Sequence, residues 1–154
     1  MKIFFTLLLS CLAILGFSQT ALNPVSWNVR YEETSNSEGQ LVFTAAIDNK
    51  WHIYSQRPTD AGPIPTTFSI TPTADYELIG NVEEKDAHEE YVAAFDAKVF
   101  VFAKEAVFKQ KIKRKSNKAF DITSSVEFMT CNDMQCLPPK TIVLITNIPA
   151  IVKK

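Results

Sequence analysis

Two cysteines near the C-terminal end of the chain, Cys131 and Cys136, are the residues whose type and spacing most directly allow chemistry. They bracket Asn132-Asp133-Met134-Gln135, and Pro138 and Pro139 follow at once. Four intervening residues let two Cα atoms come within bonding range across a tight turn or hairpin. Such a pair can alternate between dithiol and disulfide, so thiol–disulfide exchange is the first chemistry to weigh. The other reading is a purely stabilising bridge. Closing so small a loop removes only about 2 kcal/mol of unfolded-state entropy by the chain model. A bridge between distant strands would gain more. Exported domains nevertheless keep small structural bridges, so spacing alone leaves both readings open. The two prolines stiffen the backbone beyond Cys136 and remove two amide donors, which would hold the second sulfur at a surface. A proline pair at the start of a strand would look the same.

Other side chains could join the sulfurs. Met129 and Met134, with His52 or His88, offer soft ligands for Cu(I), although no H-x-M or M-x-x-M array is present. Methionine is more often packing material than ligand. In Trp51-His52-Ile53-Tyr54-Ser55-Gln56, strand alternation sends Trp51 and Ile53 to one face and His52 and Tyr54 to the other. Core packing accounts for the first pair. The second pair either flanks a reactive site or faces water, and His52 would lower a thiol pKa if it lay beside one. A cysteine nucleophile in an oxidising compartment also needs shielding. His88-Glu89-Glu90-Tyr91 and Phe95 are candidates for a shielding loop.

The elements that must position these residues read as strands. Apolar residues alternate at period two through Val25 to Tyr31, Leu41 to Ile47, Phe68 and Ile70, Ala106 to Ile112, Phe120 and Ile122, and Val126 and Phe128. Val99–Phe102 and Ile142–Ile145 are solidly apolar, as expected of strands covered on both faces. Asn36–Gly39, Asp48-Asn49, Asp60–Pro65 and Ser116-Asn117 supply turns. About eight short strands at this spacing predict an all-β, immunoglobulin-like antiparallel β-sandwich. Val82–Phe95 is acidic and poorly patterned, and reads as a long loop between sheets with at most a helical turn. Lys109, Lys111, Lys113 and Lys115 alternate as lysines do along a protected edge strand.

The first residues read as a processing signal. Lys2 precedes an apolar run from Ile3 to Phe17, and Gly16-Phe17-Ser18 forms a small-x-small cleavage site. The expected division is a signal peptide over residues 1–18 and one sandwich domain over residues 19–154. The apolar run continues well past Cys11, which favours this cut over lipidation at Cys11. The expected location is the periplasm, with two cysteines left in an oxidising compartment. No later stretch approaches the length of a spanning helix. The chain carries 16 Lys and Arg against 17 Asp and Glu, and Lys2 leaves with the signal. That balance excludes the net basic charge expected of a nucleic-acid binder. The basic segment 109–118 and the acidic segment 83–90 read as solvated faces, or as steering for a charged partner. Nothing calls for a dimer, and a monomer is expected.

Taken together, these residues resemble a known family, the N-terminal periplasmic domain of the thiol:disulfide interchange protein DsbD and its stand-alone relatives. Phe128-Met129-Thr130-Cys131 and Cys136-Leu137-Pro138-Pro139-Lys140-Thr141 carry the likeness, supported by Trp51–Gln56, Gly62-Pro63 and Pro65-Thr66. The resemblance implies an immunoglobulin-like fold and a cysteine pair that needs neither metal nor organic cofactor. It implies an electron donor in the thioredoxin-like domain of a membrane transporter. It implies a periplasmic disulfide isomerase or a cytochrome-maturation thioredoxin as acceptor. It further implies that Cys136 attacks and Cys131 resolves, that Tyr54 flanks the pair, and that Glu89, Glu90 and Tyr91 form a cap loop; His52, on the same strand face as Tyr54, is the other flanking candidate. The cysteines stand one residue closer in sequence than in the best-known members. A non-enzymatic binding module with a structural bridge remains the alternative, with Cu(I) handling a third.

Overall fold

The computed structural model describes residues 22–151 except 60, 61 and 94. The expected signal segment and Cys11 lie outside the described residues. Ten strands make up the described elements: β1 Val25–Glu33, β2 Glu38–Ile47, β3 His52–Tyr54, β4 Thr67–Ile70, β5 Tyr76–Glu84, β6 His88–Val92, β7 Ala97–Ala103, β8 Glu105–Arg114, β9 Phe120–Cys131 and β10 Cys136–Ile148. They form two antiparallel sheets, β1-β2-β8-β5 and β10-β9-β3-β7-β6, with β4 pairing with β9. The chain is an all-β, immunoglobulin-like sandwich, as its alternation predicts.

Alternation works because each strand gives one face to the other sheet. Leu41, Phe43 and Ala45 of β2, Ala106, Phe108 and Ile112 of β8, and Ile122, Val126 and Phe128 of β9 all turn inward and are buried. An aromatic cluster fills the middle. The Phe43 and Phe68 rings stand 4.8 Å apart, Phe68 and Phe108 5.0 Å, and Trp27 and Phe128 5.4 Å. Truncating one such buried ring to alanine costs about 3–5 kcal/mol.

Three local expectations are corrected. Val82–Phe95 is not a long loop: β5 runs through Glu84, β6 occupies His88–Val92, and only a tight turn separates β6 from β7. Both strands are sheet edges and largely exposed, so no apolar alternation marks them. Their acids pair across strands instead, Glu83 with Lys111 at 3.1 Å and Glu89 with Lys98 at 3.0 Å. The lysines at 109, 111 and 113 do not protect an edge, because β8 lies between β2 and β5. They alternate with the buried residues of a central strand and find glutamates on β5. Finally, β10 is an edge strand covered on one face only. Val143 and Ile145 are each 66 % exposed, whereas Ile142 and Leu144 pack towards the core.

Candidate functional site

The last residue of β9 and the first of β10 are the two cysteines, directly opposed in the ladder. Opposed residues of an antiparallel pair bring their side chains close. Here the Cα atoms are 4.0 Å apart and a disulfide joins Cys131 to Cys136. Asn132 shapes the turn between them. Its amide donates to the Gln135 carbonyl at 2.9 Å, and its Oδ1 accepts from the Met134 and Gln135 amides, both at 2.9 Å. This is the side-chain-to-backbone turn that asparagine forms readily.

Strand order makes the two sulfurs unequal. β9 is flanked by β10 on one side and β3 on the other, where His52 opposes Cys131. Cys131 is therefore 0 % exposed. Among the described residues β10 has no outer neighbour, and Cys136 is only partly buried. Cys136 lines a cleft of ≈ 490 Å³ whose walls are the 132–135 turn, His52, and Glu90 to Ala93 at the end of β6.

A small apolar cluster backs the bridge. Tyr54, Val99, Val101 and Cys131 are buried together, with Val92, Phe95, Met129 and Cys136 packed against them. The Phe95 ring meets Tyr54 edge-on, centroids 6.1 Å apart. His52 Nε2 and Tyr54 Oη share a buried hydrogen bond of 3.0 Å. Burial pushes the His52 pKa down, opposed by Glu90 and Asp133 and reinforced by His88, so the imidazole is neutral at neutral pH. Burial, and secondarily the Glu90 charge, drives the Tyr54 phenol far above its ordinary range. The pair beside the sulfurs is thus uncharged.

The structure brings together Cys131, Cys136, His52 and Tyr54, with Glu90 and Tyr91 bordering the cleft. Glu89 points elsewhere, into its ion pair with Lys98. Glu89, Glu90 and Tyr91 stand on β6 rather than in a loop. The ring that touches the apolar cluster is Phe95, in the turn beyond. Tyr91 is largely exposed and donates its hydroxyl to Asp96, tying that turn to the strand. Of the proposed copper ligands, Met134 stands out at the turn tip, 88 % exposed, while Met129 packs in the apolar cluster. Asn132 and Asp133 carry no reactive group that marks them in the sequence, although the Asn-Asp pair between the cysteines is itself a turn signal.

The family model of the thiol:disulfide interchange protein DsbD, N-terminal, matches residues 19–147. No curated protein matches the chain. Among solved structures, the N-terminal periplasmic domain of ScsB from Proteus mirabilis is 15 % identical with a TM-score of 0.54; the match covers 79 % of this chain and 44 % of that one. This chain therefore spans less than half of the ScsB structure. The complex between the DsbD N-terminal and the PilB N-terminal domains from Neisseria meningitidis is 12 % identical with a TM-score of 0.51, covering 82 % and 87 %. The reduced form of the Neisseria meningitidis DsbD N-terminal domain is 13 % identical with a TM-score of 0.48, covering 79 % and 84 %. At these identities the ScsB and DsbD–PilB structures speak to fold alone.

Proposed function

The chain belongs to the family of DsbD N-terminal domains, and from that membership we propose that it relays electrons by thiol–disulfide exchange in the periplasm. The observation that carries the reading is the inequality of the sulfurs: Cys136 opens on a cleft while Cys131 is sealed. A donor thiolate attacks Cys136 Sγ, the bridge breaks, and Cys131 leaves as thiolate. The donor's second thiol displaces Cys136, so the donor ends as a disulfide and this chain as a dithiol. In the second half, the Cys136 thiolate attacks an acceptor disulfide and releases one acceptor thiolate. Cys131 then attacks Cys136 Sγ in the mixed disulfide, freeing the reduced acceptor and restoring the bridge. Two electrons pass in each half, with protons exchanged with water. The reaction draws on no metal or organic cofactor.

His52 and Tyr54 form a neutral wall beside the reacting sulfurs, and Phe95 shields them with Glu90 and Tyr91 at the rim. The donor is the thioredoxin-like domain of a membrane electron transporter. The acceptor is a periplasmic disulfide isomerase or a cytochrome-maturation thioredoxin. A relative captured in complex with the PilB N-terminal domain supports docking of a second protein on this fold. Export by residues 1–18 would deliver the domain to that compartment.

Trapping tests this reading. In Cys131→Ala, Cys136 attacks a partner disulfide and no thiol resolves the product, so a covalent complex accumulates. Cys136→Ala should accumulate at least about tenfold less, because a buried thiol is poorly reactive. Equal trapping by both variants, or by neither, contradicts the assignment. A reduction potential below about −300 mV would mark the bridge as structural.

A further inference from the structure

We infer that Asn132 is a positioning residue that sets how readily Cys136 returns to Cys131, an inference that rests on the exchange reaction above. Cys131 ends the long strand β9 and is paired on the side away from Cys136 by His52 of β3. Cys136 is held far less. Beyond Leu137 the β9–β10 ladder breaks, and regular pairing resumes only at Lys140. Pro138 and Pro139 sit in that gap and carry no amide hydrogen to bridge it. A single residue pair, Thr130 with Leu137, thus separates the cysteines from the interruption.

The turn supplies the missing restraint. Its three hydrogen bonds all involve Asn132, one through the backbone amide and two through the side-chain Oδ1 that Asn132→Ala removes, and none involves sulfur. Asp133, Met134 and Gln135 are exposed, so packing does not hold the turn in shape. When the disulfide opens, these bonds can persist and keep Cys136 opposite Cys131. Resolution of a mixed disulfide is an intramolecular attack, and its rate follows the fraction of time the two sulfurs are in reach. An uncapped turn would spread that segment over many conformations. Closure would then be slower and the intramolecular disulfide less favoured.

Ellman's reagent reads both steps in the full chain. The reduced protein releases one thionitrobenzoate as Cys136 is capped and a second as Cys131 displaces it. Asn132→Ala should leave the first phase within about twofold and slow the second about five- to tenfold. Its disulfide should become more easily reduced against glutathione, a tenfold change in equilibrium corresponding to about 30 mV. Asn132→Asp, which keeps the acceptor oxygen, should restore the ratio of second- to first-phase rates to within about twofold of the parent. A purely structural role would lower the melting temperature without moving that ratio. An unchanged second phase and potential in Asn132→Ala overturns the inference, as does Asn132→Asp behaving like alanine. A parent chain that releases no second thionitrobenzoate would instead defeat the exchange reaction itself, so the two failures are distinct.

Discussion

Reducing the Cys131–Cys136 bridge should leave the sandwich folded at a small cost in stability. The sequence separation is 5, so the bridge closes a six-residue loop in the unfolded chain. The chain-entropy relation gives about 2 kcal/mol for such a loop at 25 °C. The main core, built on Phe43, Phe102, Phe108 and Phe128, contains neither cysteine. A thermodynamic cycle links this figure to redox behaviour. Whatever the bridge adds to folding, folding adds to the bridge's resistance to reduction. About 2 kcal/mol is about 45 mV for a two-electron couple, whereas 5 kcal/mol would exceed about 100 mV. A bridge meant to open belongs at the lower figure. The assay is guanidinium unfolding followed by the fluorescence of Trp27 and Trp51, with and without dithiothreitol, alkylation and mass confirming the thiol state. The midpoint should shift by the equivalent of about 2 kcal/mol with the slope unchanged. The melting temperature should fall by about 5–10 °C for a domain of this size. Loss of cooperative unfolding on reduction, or a cost above about 4 kcal/mol, would refute the reasoning and make the bridge structural.

Further outcomes follow from the same geometry. Buried His52 resists protonation when folded, while an unfolded histidine titrates near about 6.5. The unfolded state therefore binds more protons below that value, and the His52 contribution, full above it, is lost as pH falls towards the lower folded value. Denaturant midpoints at pH 7.5 and 5.5 should show the decline, and His52→Gln should flatten it; identical slopes in parent and variant would assign the loss elsewhere. Phe95→Ala removes the ring that covers Tyr54. It should speed reduction of the bridge by dithiothreitol several-fold, at a stability cost of about 1–3 kcal/mol, below that of a fully buried ring; an unchanged reduction rate would deny Phe95 a shielding part. In the reduced parent, iodoacetamide should label Cys136 at least about tenfold faster than Cys131, read by peptide mass spectrometry, since one thiol is sealed and the other is not.

Much of this protein was legible from residue order. Period-two alternation from Val25 to Phe128 defined the sandwich, because a strand half-buried against another sheet must alternate. The Cys131–Cys136 spacing made a bridge across a tight turn legible, because that feature is local, but left exchange and purely structural roles equally open. Alternation also sent His52 and Tyr54 to the face opposite Ile53, as found. Other features depend on which strands become neighbours, and that is a non-local choice. Residue order could not reveal that β9 is interior and β10 an edge, so it could not reveal from geometry which sulfur is sealed. Lysines on central β8 look like edge protection in the sequence, and the last residues of β5 with all of exposed β6 look like a loop. Periodicity records which face of a strand is buried, not how many strands lie beside it. Strand pairing in the folded sheets sealed Cys131, left Cys136 open to the cleft and buried His52, which pushes its pKa down.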